Sequence, residues 1–277
     1  MGYNIPSKTI DELTYMDDVF LSTALEDNIP VVQRMVRIIL DDESIVVTKE
    51  TSQKELKNLF GRSIRCDAYS EDDKSRKYDI EIQNGSEGAS VIRARYNSAM
   101  LDTNNELSSD LVSKQLTDSF VIFITDHDHF ELGWSVYHVE RCPLQNHDKN
   151  QAVKNVKDGS HIIYVNGLYN DISTPIGRLI ADMKCKNPED MYYDELRERT
   201  YYLKRTEEGR KHMSTAMTTY VEYSNSVARA EVLVKAVENA ADGLNASIED
   251  ACKILKISVN DYYSAKKLAK EAAEMTV

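Results

Sequence analysis

Cysteine is scarce in this sequence: four in 277 residues, at positions 66, 142, 185 and 252. No two stand close enough for a CxxC zinc or redox pair, so the scatter predicts ordinary thiols in a reducing compartment. Five prolines and ten glycines exclude a collagenous or low-complexity chain. No apolar run reaches the roughly 18 residues that a membrane helix requires. The opening "MGYNIPSKTIDELTYMDD" lacks the basic-then-apolar layout of a secretory signal. Gly2 suggests a lipidation pattern, but Pro6 stands inside it. Basic residues are the minority, 34 against 46 acidic ones, for a net charge of −12. This excludes a chain basic over its whole surface, as general nucleic-acid coating would require; a local basic patch stays compatible with it. The expectation is a soluble cytoplasmic protein with no membrane partner.

What is present points to a large folded core, since 42 % of residues are hydrophobic. "TIDELTYMDDVFLSTALEDNIPVVQRMVRIIL" shows helical spacing in two pieces, with Pro30 in the first turn of the second. "SIVVTKE" reads as a strand. "SIRCDAY" and "KYDIEIQ" read as two antiparallel strands joined by a short polar turn. Strict alternation sends Arg65, Asp67 and Tyr69 to one face of the first strand. In the second it sends Tyr78, Ile80 and Ile82 to the core, and Asp79, Glu81 and Gln83 away from it. "GASVIRARYNSAMLD" is a helix with stripes at Val91, Ala94, Ser98 and Leu101 and at Ile92, Tyr96 and Ala99. "FVIFITD" is apolar throughout, as in a strand covered on both faces. "GWSVYHVE" is expected to pair with it in a hairpin, and "HIIYVNG" is a further strand. From Thr174 onward the pattern is almost wholly helical. The order predicts an α/β domain over 1–185 and a helical region over 186–277.

The acidic strand pair carries the chemistry. Asp67 and Glu81 on neighbouring strands would offer two hard oxygen ligands suited to Mg²⁺ or Mn²⁺, with the Ile82 carbonyl as a third. Gln83, one strand period after Glu81, would lie beside the ion and orient water or phosphate. The same spacing also fits carboxylates that are merely solvated. Lys77 and Arg76 are the expected partners of Asp79. "DHDHF", residues 126–130, has the look of a metal motif, but Asp and His are also good turn residues. His138, His147, His161 and His212 suggest no triad. "NASIEDACKILKISVNDYYSAKK" outlines either a helix-turn-helix or a helical hairpin packed on its neighbours, with Ser247 as N-cap. A long amphipathic helix over 205–242 is suited to self-association and equally to packing on the core.

Asp followed on the next strand by Glu-x-Lys is the core pattern of the PD-(D/E)XK nuclease superfamily. "IRCDAY", "DIEIQN" and "VIRARYNSAMLD" together resemble its recombination-promoting nuclease (transposase-related) branch. "DDVFLSTALED", "FVIFITDHDHF" and "YYLKRTEEGRKHM" are similar to further stretches of that family, and the matches span most of residues 10–220. The resemblance implies a restriction-endonuclease-like core, a central mixed sheet flanked by helices, and Mg²⁺- or Mn²⁺-dependent DNA cleavage linked to recombination or mobile elements. It gives Asp67 and Glu81 the metal-ligand role and puts Gln83 in the Lys position. It assigns the acid of the first helix to Asp17 or its neighbour Asp18, and phosphate contacts to Arg93, Arg95 and Tyr96. A DNA-facing patch would form around Arg62, Arg65, Arg93 and Arg95. Here Gln83 replaces the motif's cation, Asn97 replaces a tyrosine, and Leu21 stands where relatives carry Lys. These departures leave room for a silent nuclease-fold binding module, or for an assembly protein whose C-terminal helices make homo-oligomers.

Overall fold

The computed structural model describes residues 8–58, 63–85, 88–104, 116–143 and 158–276. Arg62 and His147 lie outside the described residues. By contacts the chain divides after Met213 into two compact units.

In the first unit, helix α1 (Asp18–Leu25) starts at Asp17, and α2 (Ile29–Leu40) starts at Asn28, whose side chain accepts from the Val31 amide. Pro30 sits in the first turn of α2, where its missing N–H costs nothing. The chain then enters β1 (Val47–Leu56), β2 (Ile64–Asp72) and β3 (Lys77–Gln83). The turn between β2 and β3 is organised by Asp72. Its Oδ1 accepts from the Lys74 and Arg76 amides, and its Oδ2 from Arg76 Nε at 2.6 Å and Tyr78 Oη at 2.9 Å. Ser75 takes the left-handed conformation there, φ 60°. Arg76 is therefore spent on Asp72 and does not serve Asp79.

Helix α3 (Val91–Thr103), capped by Ser90, leads to β4 (Ser119–Thr125), β5 (Val136–Val139) and β6 (Ser160–Asn166). The six strands form one mixed sheet in the order β1-β2-β3-β4-β6-β5. The first three are antiparallel neighbours, β3, β4 and β6 run parallel, and β5 is antiparallel to β6. The expected β4–β5 hairpin is therefore absent. β4 is buried along its whole length between β3 and β6, and the four-residue β5 pairs at the edge with β6 instead. Helix α3 packs along β3, β4 and β6, while α1 and α2 pack on β1 and β2. Ala94, Ser98 and Leu101 of α3 are buried as their stripe predicts, whereas Val91 and Ile92 are exposed.

Strict alternation fails in β2. Between the pairs Ser52–Ala68 and Lys54–Cys66 the ladder skips Gln53 and Asp67, and Gln53 is left-handed, φ 54°. A non-glycine residue in that region marks a local distortion. Beyond it the facing of side chains is reset. Cys66 packs in the same cluster as Tyr69, and Lys54 Nζ, from the residue paired with Cys66, lies 3.4 Å from the centre of the Tyr69 ring. Asp67 sits at the point of reset.

Three helices follow: α4 (Pro175–Lys184), α5 (Asp194–Arg205) and α6 (Glu207–Leu244), the last running into the second unit. Helix α5 ties down the segment around α1 through two cations. Lys204 Nζ donates to the carbonyls of Leu13 at 2.5 Å, Lys186 at 2.6 Å and Asp11 at 3.3 Å. Arg199 donates to those of Thr23, Ala24 and Glu26. Orphan carbonyls at the end of α1 are thereby satisfied by a guanidinium.

The second unit carries α7 (Ile248–Leu255) and α8 (Val259–Thr276), joined by a turn with Lys256 left-handed. Ser247 and Ser258 cap the two helices. Val237, Ala241, Ala251, Cys252 and Tyr262 form a small core between them and the end of α6. Lys253, Lys266 and Lys267 pair with Asp250, Glu238 and Glu271. This matches a compact helical hairpin with a balanced surface more closely than a basic DNA reader. Among the described residues no helix is long and apolar enough to cross a membrane.

Candidate active site

The middle of β3 gathers charge. Asp79 and Glu81 are both fully buried, which rules out the alternative of carboxylates that are merely solvated. The reason is α3, which lies over this side of the sheet. Its Asn97 donates Nδ2 to Asp79 Oδ2 at 3.0 Å. One turn earlier, Arg93 donates Nη2 to Glu81 Oε2 at 2.6 Å. Residues four apart on a helix share a face, so one helix serves two carboxylates two apart on one strand. The Asn97 that departs from the family pattern is thus the partner of Asp79, in place of the expected Lys77 and Arg76.

Gln83 folds back along the strand and donates Nε2 to Glu81 Oε2 at 3.2 Å. Asp67 Oδ2 accepts from the Ile82 amide at 3.2 Å. At Asp67 it is thus the Ile82 amide, rather than its carbonyl, that makes contact. Glu81 Oε1 is buried and has no hydrogen-bond partner among the described residues. Arg93 also donates to the Gly88 carbonyl and stands 5.7 Å from the Phe123 ring centre.

The carboxylates disturb one another. Burial, and then the charge of Asp18, push the Asp67 carboxyl up to about 7. Burial, then the charges of Asp67 and Asp79, push Glu81 well above the ordinary carboxylate range. Asp79 is raised by burial as well, and so is Asp18, with Asp17 adding to it. The Cys66 thiol is held up by burial and by the nearby Asp79 and Glu81 charges. Arg93 is the cation whose field reaches Asp18, Asp67, Asp79 and Glu81 alike. Four carboxyls against one guanidinium in a desolvated place must take up protons or another cation.

The structure therefore brings Asp67, Glu81, Gln83 and Arg93 together. Of the two acids at α1, Asp18 acts on Asp67. Asp17 is turned back to its own loop, accepting from the Thr14 amide at 2.9 Å and hydroxyl at 3.2 Å. Arg95 is exposed, since it is two helical residues from Arg93 and diverges from it. The Tyr96 hydroxyl accepts from Asn58 Nδ2 at 3.1 Å. Arg65 donates to Gln53 Oε1. Asp79 and Asn97 were missed by sequence reasoning; the signals were the shared parity of Asp79 with Glu81 and the four-residue step from Arg93 to Asn97.

Among the described residues no three His, Cys, Asp or Glu side chains converge as a metal-holding group. A divalent ion here would rest on Asp67 and Glu81, with backbone oxygen and water completing its shell. The donor set suits such an ion in one respect: Glu81 Oε1 is a buried acceptor with no hydrogen-bond partner among the described residues. No protein-family model, curated protein or solved structure matches this chain.

Proposed function

We propose that the chain is a nuclease-fold protein of PD-(D/E)XK type whose acidic pocket binds Mg²⁺ or Mn²⁺ and hydrolyses DNA phosphodiesters. One observation carries the reading: Glu81 keeps a buried, unpartnered Oε1 while the neighbouring Asp67 charge acts directly upon it. Buried acceptors without donors are rare and call for an explanation. A shared cation is the simplest one, since it would serve Oε1 and offset the burial and the neighbouring carboxylate charges that raise the two groups. The order of strands and helices, with its mixed sheet, supports a restriction-endonuclease-like core.

Under this reading Asp67 and Glu81 hold the ion. When bound, it would lower the barrier by polarising the phosphoryl group and favouring hydroxide over water. Gln83 orients the attacking water or a phosphate oxygen through its amide, but adds no charge. Arg93 compensates in part for the cation absent at position 83. It is fixed by Glu81 and Gly88, and its remaining guanidinium edge is suited to a phosphate oxygen.

A second reading has an observation of its own. The short Arg93–Glu81 pair already neutralises Glu81 through Oε2, as in a site that has given up its metal. The protein would then be a silent nuclease-fold module that binds DNA or protein. Plasmid cleavage with and without Mg²⁺ or Mn²⁺ separates the two. Cleavage abolished by Glu81→Gln supports the nuclease. Metal-independent DNA binding without cleavage, unchanged by Glu81→Gln, supports the silent module.

A further inference from the structure

The loop 126–130 follows β4, and β4 runs parallel to β3 in register, with Gln83 beside Thr125. The loop therefore leaves the sheet at the carboxyl end of both strands, the end where open α/β sheets bind ligands. Asp126 is moored to the end of β3 itself. Its amide donates to the Gln83 carbonyl at 3.2 Å, and its Oδ1 accepts from the Gly85 amide at 3.1 Å. The same Oδ1 is 2.8 Å from His127 Nδ1. With Asp126 as an ionised acceptor, that contact places an imidazole proton on Nδ1 and leaves Nε2 outside the pair.

The other members of the loop are occupied. Asp128 accepts from the Tyr137 hydroxyl at 2.6 Å and from the amides of Gly133 and Glu131. His129 stacks on Tyr164 at 4.7 Å between ring centres. His127 is left with its side chain 28 % exposed and with Nε2 in no hydrogen bond among the described residues. The stack also fixes which side of the sheet His127 lies on. Its ring is 5.9 Å from His129, and Tyr164 stacks in turn on Phe123 at 5.5 Å. Phe123 is the register partner of Glu81 and lies under Arg93. His127 is thus on the Glu81 side of the sheet, at its carboxyl rim. Glu81 lies two strand residues, about 7 Å, before the Gln83 level to which Asp126 is moored.

Phosphodiester hydrolysis needs a proton for the departing ester oxygen. Once an ion has displaced the protons of Asp67 and Glu81, those two carboxylates are no longer donors; Gln83 is a neutral amide, and Arg93 does not give up protons at working pH. We infer that His127, oriented by Asp126, is a further catalytic residue of this site, the acid that protonates the leaving oxygen. The inference rests on the nuclease reading. In the step, the water oxygen bonds to phosphorus, the bond from phosphorus to the leaving oxygen breaks, and that oxygen takes the proton from Nε2 of the imidazolium. The proton lost by the water passes to solvent, and His127 is recharged from solvent. Asp126 stabilises the imidazolium and keeps the ring aimed. The groups facing His127 are Asp126 and His129.

The test compares two substrates and two variants at saturating Mn²⁺. Plasmid DNA has a poor leaving group that needs the acid; bis(p-nitrophenyl) phosphate has a good one that does not. His127→Gln is expected to slow DNA cleavage by about 10²-fold or more, and to leave hydrolysis of the activated ester and Mn²⁺ affinity unchanged. Imidazole should restore part of the DNA activity to His127→Ala. DNA cleavage by His127→Gln within about twofold of the wild type, far short of the effect of losing a general acid, overturns the inference while leaving the nuclease reading intact. An equal loss on both substrates overturns the acid role as well. A wild-type protein that cleaves neither substrate, or cleavage that survives Glu81→Gln, removes the nuclease reading and the inference with it.

Discussion

Asp67→Asn should stabilise the metal-free protein, and should do so more at alkaline than at acid pH. The Asp67 carboxyl is pushed from 3.8 to about 7 in the folded state. A carboxyl raised on folding binds its proton more tightly in the native state than in the unfolded one. Its contribution is therefore fully present below the unfolded value and is lost as pH rises through the folded one. Between about pH 5 and about pH 8 the loss runs over about two pH units, because it saturates near 7. At about 1.36 kcal/mol per unit this is about 3 kcal/mol. Asp67 is partly open to solvent, so 1–3 kcal/mol is the expected order, about that ceiling or below it. The asparagine keeps an oxygen for the Ile82 amide and removes the charge that meets Asp18 and Glu81. Urea unfolding of both proteins at the two pH values gives the double difference, in which titrating groups not coupled to Asp67 cancel. The reasoning fails if Asp67→Asn destabilises the protein equally at both pH values, or if the gain is larger at the acid one.

Other outcomes follow from the same geometry. Arg93→Met should destabilise the fold by about 3 kcal/mol where Glu81 is ionised, because it leaves a buried carboxylate without its guanidinium; urea midpoints read this, and the loss should be largest at alkaline pH and shrink as Glu81 takes up a proton. Lys204→Met should cost about 2–4 kcal/mol by leaving the Leu13, Lys186 and Asp11 carbonyls without their shared donor, measured by thermal melting. Asn97→Leu should cost about 1–3 kcal/mol through the lost bond to buried Asp79, while Asn97→Asp should be worse, since it sets two acids side by side. Arg95→Ala, at an exposed position, should change stability by less than about 0.5 kcal/mol.

Much of the fold is legible in residue patterns. The unbroken apolar run of β4 does mark a strand buried on both faces, and Ser247 caps its helix as its spacing suggests. Other features depend on contacts distant in sequence. The alternation in "SVYHV" announces a strand without naming its neighbour, and β5 joined β6 because β4 had both edges filled. Asp79 looks like a solvated residue until α3 arrives with Asn97. The reset at Asp67 depends on the backbone of Gln53 on another strand, which no pattern in "SIRCDAY" contains. At the site, the closeness of Asp67 and Glu81 is legible from their places on adjoining strands. The Arg93–Glu81 pair is a matter of helix placement, and the Asp126–His127 pair of how β4 ends beside β3.

The most direct test of the account is calorimetric titration of the metal-free protein with Mn²⁺ at about pH 6, in two buffers of different ionisation heat. Because Asp67 and Glu81 hold protons that a cation must displace, the account predicts one site, proton release on binding, and loss of that site in Glu81→Gln. Binding that persists unchanged in Glu81→Gln, or no binding by the wild type, would contradict it.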